Sequence, residues 1–135
     1  KNHRGDVKDL LGQYYEDVKG MLGNRTNVDN TGDCLEYEYE GGVNLRVVYD
    51  GVAQTYNVVG IQIFYDYFKG NYAIGYEGID NNSKKNDVRE KFSKIDSDDE
   101  FSKGKYVDIF SSGKDLNVAK FYYDNDNSVD EIEYN

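Results

Sequence analysis

The stretch Leu35-Glu36-Tyr37-Glu38-Tyr39-Glu40 alternates between apolar or aromatic side chains and acidic ones. Successive side chains of a β-strand point to opposite faces of a sheet, so this period of two predicts a strand with one buried and one hydrated face. Runs rich in Val, Ile and Tyr predict further strands at residues 46–50, 58–68 and 120–124. The sequence therefore predicts a sheet whose strands follow one another along the chain.

Several segments recur about seventy residues apart and in the same order. The matching pairs are 15–22 with 85–92, 46–50 with 120–124, and 58–63 with 129–134. Self-similarity at a nearly constant spacing is typical of duplicated structural units. We therefore predict a single domain, residues 1–135, made of two repeats at approximately 6–70 and 71–135.

Apolar residues at helical spacing precede the strands of each half. The first half has two short stripes, at residues 7–11 and 14–22, and each is followed by a glycine that can end a helix. In the second half Ser83 has the side chain of a helix N-cap and precedes a stripe formed by Val88 and Phe92. The predicted fold class is α+β: two tandem repeats of a short helix, or helix pair, plus an antiparallel β-meander, forming one continuous sheet with helices on one face.

The composition argues against several kinds of partner. The 135 residues include 26 acidic and 16 basic side chains, a net charge of −10 that is spread over both halves. Nucleic acids and anionic lipids attract basic surfaces, so we expect neither as a partner. No apolar run approaches the ~20 residues of a membrane-spanning helix, and we expect no membrane insertion. Because Cys34 is the single cysteine, an intramolecular disulfide is excluded.

Few residues offer catalytic or metal-binding chemistry. The single histidine is His3, near the first residue, so His-centred triads and His-ligated zinc sites are not expected. Oxygen-bearing side chains alternate along residues 124–130 as in a calcium loop, but the Gly and Glu positions of that loop hold Val129 and Asn135. We therefore predict a hairpin turn there. We expect no cofactor, no metal and no enzymatic activity.

The order of these segments resembles a known family. Each half has a short helix ending in Asp-Val-(Lys/Arg)-x-x-(Leu/Phe)-(Gly/Ser), then Tyr-bearing strands, one of which ends in Tyr-Asp-(Gly/Asn). This pattern is similar to the β-lactamase inhibitory protein superfamily over nearly the whole chain, from about Val7 to Tyr134. Related single-copy domains occur in small lipoproteins of outer-membrane assembly, of the SmpA/OmlA type, and tandem versions in secreted Gram-positive lipoproteins. The resemblance implies helices on one sheet face and a concave opposite face that can receive a partner protein.

The expected location is outside the cytoplasm. The chain starts at Lys1 without Met and has almost no Cys, which fits an exported form. We therefore expect an extracellular or cell-surface-anchored bacterial protein, with a lipid anchor upstream of Lys1 as one form of it.

Alternation along the strands assigns side chains to the two faces of the predicted sheet. Those expected to point inward are Leu45, Val47, Tyr49, Ile61, Ile63, Ala119, Phe121, Tyr123, Ile132 and Tyr134. Those selected as binding residues on the opposite face are Glu36, Glu38, Arg46, Val48, Phe64, Lys120 and Tyr122. Arg46, Phe64 and Tyr122 are the candidate anchors, because Arg and aromatic side chains inside a polar rim are typical of protein interfaces. The alternative is an ordinary solvated face with cross-strand charge pairs. Burial of either anchor aromatic, or a loop that covers this face, would refute the binding patch built on these anchors.

These observations predict a non-enzymatic protein-binding or inhibitory module that uses the helix-free sheet face, with a protein partner that the sequence does not identify. One alternative is a structural or assembly domain of a cell-envelope lipoprotein. Another is a carbohydrate-binding domain, which would require a cleft flanked by aromatic side chains.

Overall fold

The computed structural model describes residues 4–30, 32, 34–39, 42–67, 73–93, 95–98, 106–111 and 117–135. Several predicted features lie outside these ranges. They are Glu40 of the first quoted stretch, His3, and residue 68 at the end of the predicted strand 58–68.

Strands make up most of the described chain. Their bounds are β1 (Arg4–Asp6), β2 (Arg25–Asn30), β3 (Leu35–Tyr39), β4 (Val43–Asp50), β5 (Thr55–Phe64), β6 (Ala73–Gly75), β7 (Asp96–Asp98), β8 (Tyr106–Ser111), β9 (Val118–Tyr123) and β10 (Val129–Tyr134). β1 and β6 form a two-stranded parallel sheet. The other eight strands form one antiparallel sheet in the order β2-β3-β4-β5-β10-β9-β8-β7.

The helical elements are short. They are α1 (Tyr15–Val18), α2 (Lys85–Lys91), and 3₁₀ turns at Val7–Asp9 and Tyr65–Tyr67. The predicted α+β class with helix pairs is therefore wrong, because the described residues form mostly one antiparallel sheet with two short α-helices. Gly12 and Gly23, both with φ of 84°, adopt the left-handed conformation that ends helices. The helical elements end before these glycines, at Asp9 and Val18, so neither apolar stripe of the first half extends beyond about one helical turn.

One face of the sheet carries the hydrophobic core. The helical elements pack against this face through Val7, Tyr15, Val18, Val88 and Phe92. The strand residues predicted to point inward are buried, which confirms the period of two, with one exception. Tyr49 is 53% exposed, because it lies at the end of the β4–β5 hairpin, where its ring packs edge-on against Tyr56.

Tyrosine contacts hold α1 on the sheet. Tyr15 stacks on Tyr37 with ring centroids 4.3 Å apart, and the Tyr39 hydroxyl donates to the Tyr15 hydroxyl at 3.0 Å. The Arg25 guanidinium lies 5.1 Å from the centroid of the Tyr37 ring. A helix of four residues is not stable by itself, so its position depends on these contacts.

A buried carboxylate holds α2 on the sheet. The helix has Lys84 as its N-cap rather than the predicted Ser83, whose hydroxyl instead accepts from the Asp80 amide at 3.0 Å. Arg89 donates twice to Asp108 of β8, from Nε at 2.9 Å and from Nη2 at 3.0 Å. Asp108 is 1% exposed, so this pair connects the helix surface to the sheet interior.

The described elements follow the same order in both parts of the chain. A short strand and a short helix precede four antiparallel strands, β2–β5 in the first part and β7–β10 in the second. The duplication and its boundary near residue 70 stay a prediction. No helix among the described residues is both long enough and apolar enough to cross a membrane.

Candidate functional site

The sheet face opposite the core is largely polar. Directly paired residues of neighbouring strands project to the same face, so the register defines rows of side chains across the sheet. One row crosses all eight strands and consists of Asn27, Glu38, Asn44, Gln62, Glu133, Lys120, Ile109 and Asp96. The side of the sheet that bears this row is termed the outer face.

A shallow depression, termed the Gly60 depression, lies on the outer face. Its lining consists of Glu36, Asn44, Arg46, Gly60, Ile61, Gln62, Glu133 and Asn135. Gly60 of β5 lies opposite Arg46 and has no side chain to fill the space above it. A Cβ added there would lie 3.5 Å from Asn135 Cβ and 3.6 Å from Arg46 Cβ, which are ordinary contacts. The depression is therefore a space left by one missing side chain.

The charged groups on the rim interact with one another. Arg46 Nη2 lies 3.6 Å from Glu36 Oε1, with the two side chains 40% and 25% exposed. Gln62 Nε2 donates to Glu133 Oε2 at 3.4 Å, and the Tyr122 hydroxyl donates to Glu133 Oε1 at 3.2 Å. An ion pair this exposed contributes at most about 1 kcal/mol. Arg46 and Glu36 can therefore exchange their mutual contact for contacts with a bound group at little cost.

Two further predicted binding residues, Glu38 and Lys120, lie in the row that crosses the sheet. Asn27 Nδ2 donates to Glu38 Oε2 at 3.0 Å, and Lys120 lies directly opposite Glu133. Both side chains are half-buried. The structure thus places Glu38 in the same part of the outer face as Glu36 and Arg46, and Lys120 two strands beyond β5.

Exposed apolar side chains adjoin Asn57 near the depression. A β-bulge in the β4–β5 pairing leaves Val59 as an extra residue, 39% exposed. The predicted binding residue Val48 is 37% exposed and lies opposite Asn57. Tyr14, 47% exposed, forms an isolated bridge with Asn57 from its other side. An apolar group beside a polar rim is typical of protein interfaces.

Tyr122, predicted as an exposed anchor, is only 2% exposed. The register places it in an outer-face row with Phe64, Glu131 and Val107, and the last two are also buried. The predicted exposure of Tyr122 is therefore wrong, and the set of three anchors fails with it. The physical reason lies in the aromatic run 121–123, which has apolar side chains at successive positions, as in a strand covered on both faces.

The buried Tyr122 supports the rim of the depression instead. Burial, and then the neighbouring Glu133 carboxylate, raise the pKa of the Tyr122 hydroxyl above its usual value. The hydroxyl therefore stays protonated and donates to Glu133. Phe64, the other predicted aromatic anchor, is half-buried in the same row.

Sequence reasoning missed Gly60, Asn135 and Tyr14. The run Val58-Val59-Gly60 interrupts the alternation of β5, and a glycine inside a strand is typical of a bulge or of an open space above the backbone, so one signal was present. Asn135 is separated from Gly60 by 75 residues and reaches the depression only through the β5–β10 pairing. That pairing has no local signal in the sequence.

The described residues offer little metal or carbohydrate chemistry. Within the ranges given above, no three His, Cys, Asp or Glu side chains are placed to hold a metal ion. The described lining of the Gly60 depression contains no aromatic ring on which a sugar could stack. Asp124 Oδ1 accepts from the amides of Asp126 and Ser128 between β9 and β10, which confirms the predicted hairpin turn.

Comparison with known proteins gives no relative for this chain. No family model matches it, and neither do any curated protein or any solved structure. The resemblance to the β-lactamase inhibitory protein superfamily therefore stays a prediction from the sequence pattern.

Proposed function

We propose that this chain is a non-enzymatic protein-binding module that engages its partner through the outer face around the Gly60 depression. The observation that carries this proposal is the juxtaposition of three features on one part of the sheet. They are an open space above Gly60, a rim of exchangeable charges at Arg46 and Glu36, and the exposed apolar side chains of Val48 and Tyr14.

These features complement one another energetically. A partner side chain that fills the depression and covers Val48 removes apolar area from water, at about 25 cal/mol for each Å². The rim offers both a guanidinium and carboxylates, so it can pair with either sign of charge on the partner. Tyr122 and Gln62 hold Glu133 in place, so less side-chain freedom is lost when the partner binds.

We also propose that the module acts at the surface of a bacterial cell or outside it. This part of the proposal is supported by the near-absence of Cys and by the resemblance to secreted and envelope proteins.

A site-specific crosslinking experiment tests the proposed face. A photoreactive amino acid replaces Val48 on the outer face or, as the control, the exposed Glu90 of α2 on the core side. Both proteins are produced in the native organism and irradiated. We expect a discrete crosslinked partner from position 48 and none of the same mass from position 90.

Substitution of Gly60 makes the experiment specific. Gly60→Ala and Gly60→Val fill the depression progressively, and the contacts at 3.5 and 3.6 Å leave room for the first of them without a change of fold. We expect the yield of the crosslink from position 48 to fall stepwise, with unchanged circular dichroism. Equal crosslinks from both positions, or a yield that is insensitive to both substitutions, would refute the proposed face.

A further inference from the structure

Strand β2 forms one edge of the sheet in the part of the chain that the structure describes. Among the described residues β2 pairs with β3 alone, and all six of its residues, Arg25–Asn30, are exposed. The outward N–H and C=O groups of such an edge bind extended chain segments by continuing the sheet. At the opposite edge, the described part of β7 comprises three residues, Asp96–Asp98, and so short a strand offers few backbone groups for pairing.

The pairing geometry defines how much of β2 is available. A bulge leaves Thr26 as an extra residue, and its hydroxyl donates to the Glu38 carbonyl at 3.2 Å. From Asn27 to Asn30 the register is regular over four residues. A bulge at one end also twists the edge, which limits pairing to this regular part.

The side chains along the regular part specify the chemistry of the added strand. Asn27 and Asp29 lie on the outer face, directly opposite Glu38 and Glu36. Val28, 42% exposed, lies between them on the other face. An added strand would therefore place two side chains, at alternate positions, beside Asn27 and Asp29, with the Glu38 and Glu36 carboxylates one strand further in. The side chain between them would lie beside Val28.

A second copy of this chain fits this edge poorly. Pairing of two β2 strands would bring Asp29, Glu36 and Glu38 of both copies into neighbouring rows. In each copy Arg46, which pairs with Glu36, is a nearby cation. Like charges in neighbouring rows destabilise strand pairing. The net charge of −10 on each chain adds to the repulsion.

We propose that β2 binds an extended segment of the partner protein by strand addition, and that this segment carries Lys or Arg at two alternate positions with an apolar residue between them. The inference rests on the proposed function, in which the partner is a protein, and adds the mode and the sequence type of the contact. The added strand extends the outer face beyond β2. The Gly60 depression lies on the same face, three strands from β2, so the same partner can contact both places.

Peptide titration tests the inference without the partner. The probe is the acetylated and amidated peptide Thr-Lys-Val-Lys-Thr-Tyr, added at millimolar concentration to the ¹⁵N-labelled protein. One control peptide has Glu in place of both Lys residues. A second control keeps the side chains but carries N-methyl groups on the amides of its consecutive Lys, Val and Lys residues, which prevents strand pairing from either edge of the peptide.

We expect the probe to shift the amide signals of β2 and β3, to leave those of β7 unchanged, and to slow hydrogen exchange within Arg25–Asn30 severalfold. The Glu peptide should bind about tenfold more weakly, and the N-methylated peptide should not protect the strand. The variant Asp29→Lys changes an exposed side chain and should weaken binding of the Lys peptide by about threefold or more.

Two outcomes would overturn the inference. If the N-methylated peptide binds as tightly as the probe, charge attraction alone holds the probe. The same conclusion follows if the amide signals shift in all acidic regions of the protein. Because the assay contains no partner, a negative result refutes strand addition and leaves the crosslinking test of the outer face unaffected.

Discussion

The contact between Arg89 and Asp108 gives the sharpest prediction for stability. Asp108 is 1% exposed and accepts two hydrogen bonds from Arg89, at 2.9 and 3.0 Å, and one from the Tyr123 hydroxyl at 2.7 Å. The Arg89 side chain itself is 45% exposed. The substitution Arg89→Ala therefore removes a hydrated group and leaves a carboxylate in the protein interior without its bidentate cation.

The expected loss of stability follows from this difference in exposure between Arg89 and Asp108. Removal of one partner from a buried ion pair costs about 3–5 kcal/mol. The Tyr123 hydroxyl still donates to the carboxylate, so we expect the lower end of the range, about 3 kcal/mol for Arg89→Ala. Asp108→Asn removes the buried charge, so in the Arg89→Ala background it should recover about 1 kcal/mol, although it destabilises the protein by itself.

Urea unfolding followed by far-ultraviolet circular dichroism measures these changes. Lys91→Ala is the matched control, because Lys91 is an exposed cation on the same helix. The reasoning is refuted if Arg89→Ala lowers the free energy of unfolding no more than Lys91→Ala does. It is also refuted if Asp108→Asn destabilises the Arg89→Ala protein as much as it destabilises the unaltered protein.

Three further predictions concern the backbone and the tyrosines. Gly75→Ala should destabilise the protein by at least about 3 kcal/mol in urea unfolding, because its Cβ would lie 1.9 Å from the Ile79 carbonyl oxygen, whereas Gly60→Ala should change stability by less than about 1 kcal/mol. Tyr39→Phe should cost about 1 kcal/mol by the same measurement, because it removes the hydroxyl that donates to Tyr15 within the core. Alkaline pH should unfold the protein in one cooperative step, because burial raises the pKa of several tyrosines in the folded state, namely Tyr39, Tyr65, Tyr76, Tyr122 and Tyr123. The stability from these groups is fully present below the unfolded pKa of about 10 and is lost as pH rises above it.

Each of these predictions has a result that contradicts it. A soluble Gly75→Ala protein with unchanged stability would mean that the backbone at Ile79 moves freely. If the Tyr39→Phe protein is as stable as a protein in which the exposed Tyr106 is replaced, the buried hydroxyl contact contributes nothing to stability. For the alkaline transition, absorbance of tyrosinate near 295 nm and circular dichroism should change together. Ionisation of all tyrosines before any loss of structure would contradict the role of burial.

The sequence predicted the sheet better than the helices, for a physical reason. Alternation is local, so Leu45, Ile61 and Phe121 could be assigned to the buried face from their own neighbours. The helical stripes at 7–11 and 14–22 suggested longer elements, but the first turn ends at Asp9. The second ends at Val18 and is held by contacts of Tyr15 with Tyr37 and Tyr39, which are distant in the sequence.

The candidate site could be predicted only in part. Glu36, Arg46 and Val48 were assigned to the outer face by alternation alone. Tyr122 was assigned to the correct face, but its burial was not predicted, because alternation along one strand does not show whether a face is covered. The Gly60 depression depends on the pairing of β5 with β10, which joins residues about seventy positions apart and leaves no trace in either strand alone.

The central position of β10 has a consequence for how the chain acquires its structure. β10 comes after every other strand in the sequence, yet it lies between β5 and β9 and joins the two sets of four strands. During synthesis the Ile61–Phe64 part of β5 gains its strand partner on that side only when residues 129–134 have left the ribosome. Contacts between residues so distant in sequence form slowly, and a hydrophobic strand edge that stays open during that time favours aggregation. Expression yield should therefore depend on how fast the end of the β-structure is made and on chaperones that cover the open edge of β5 in the meantime.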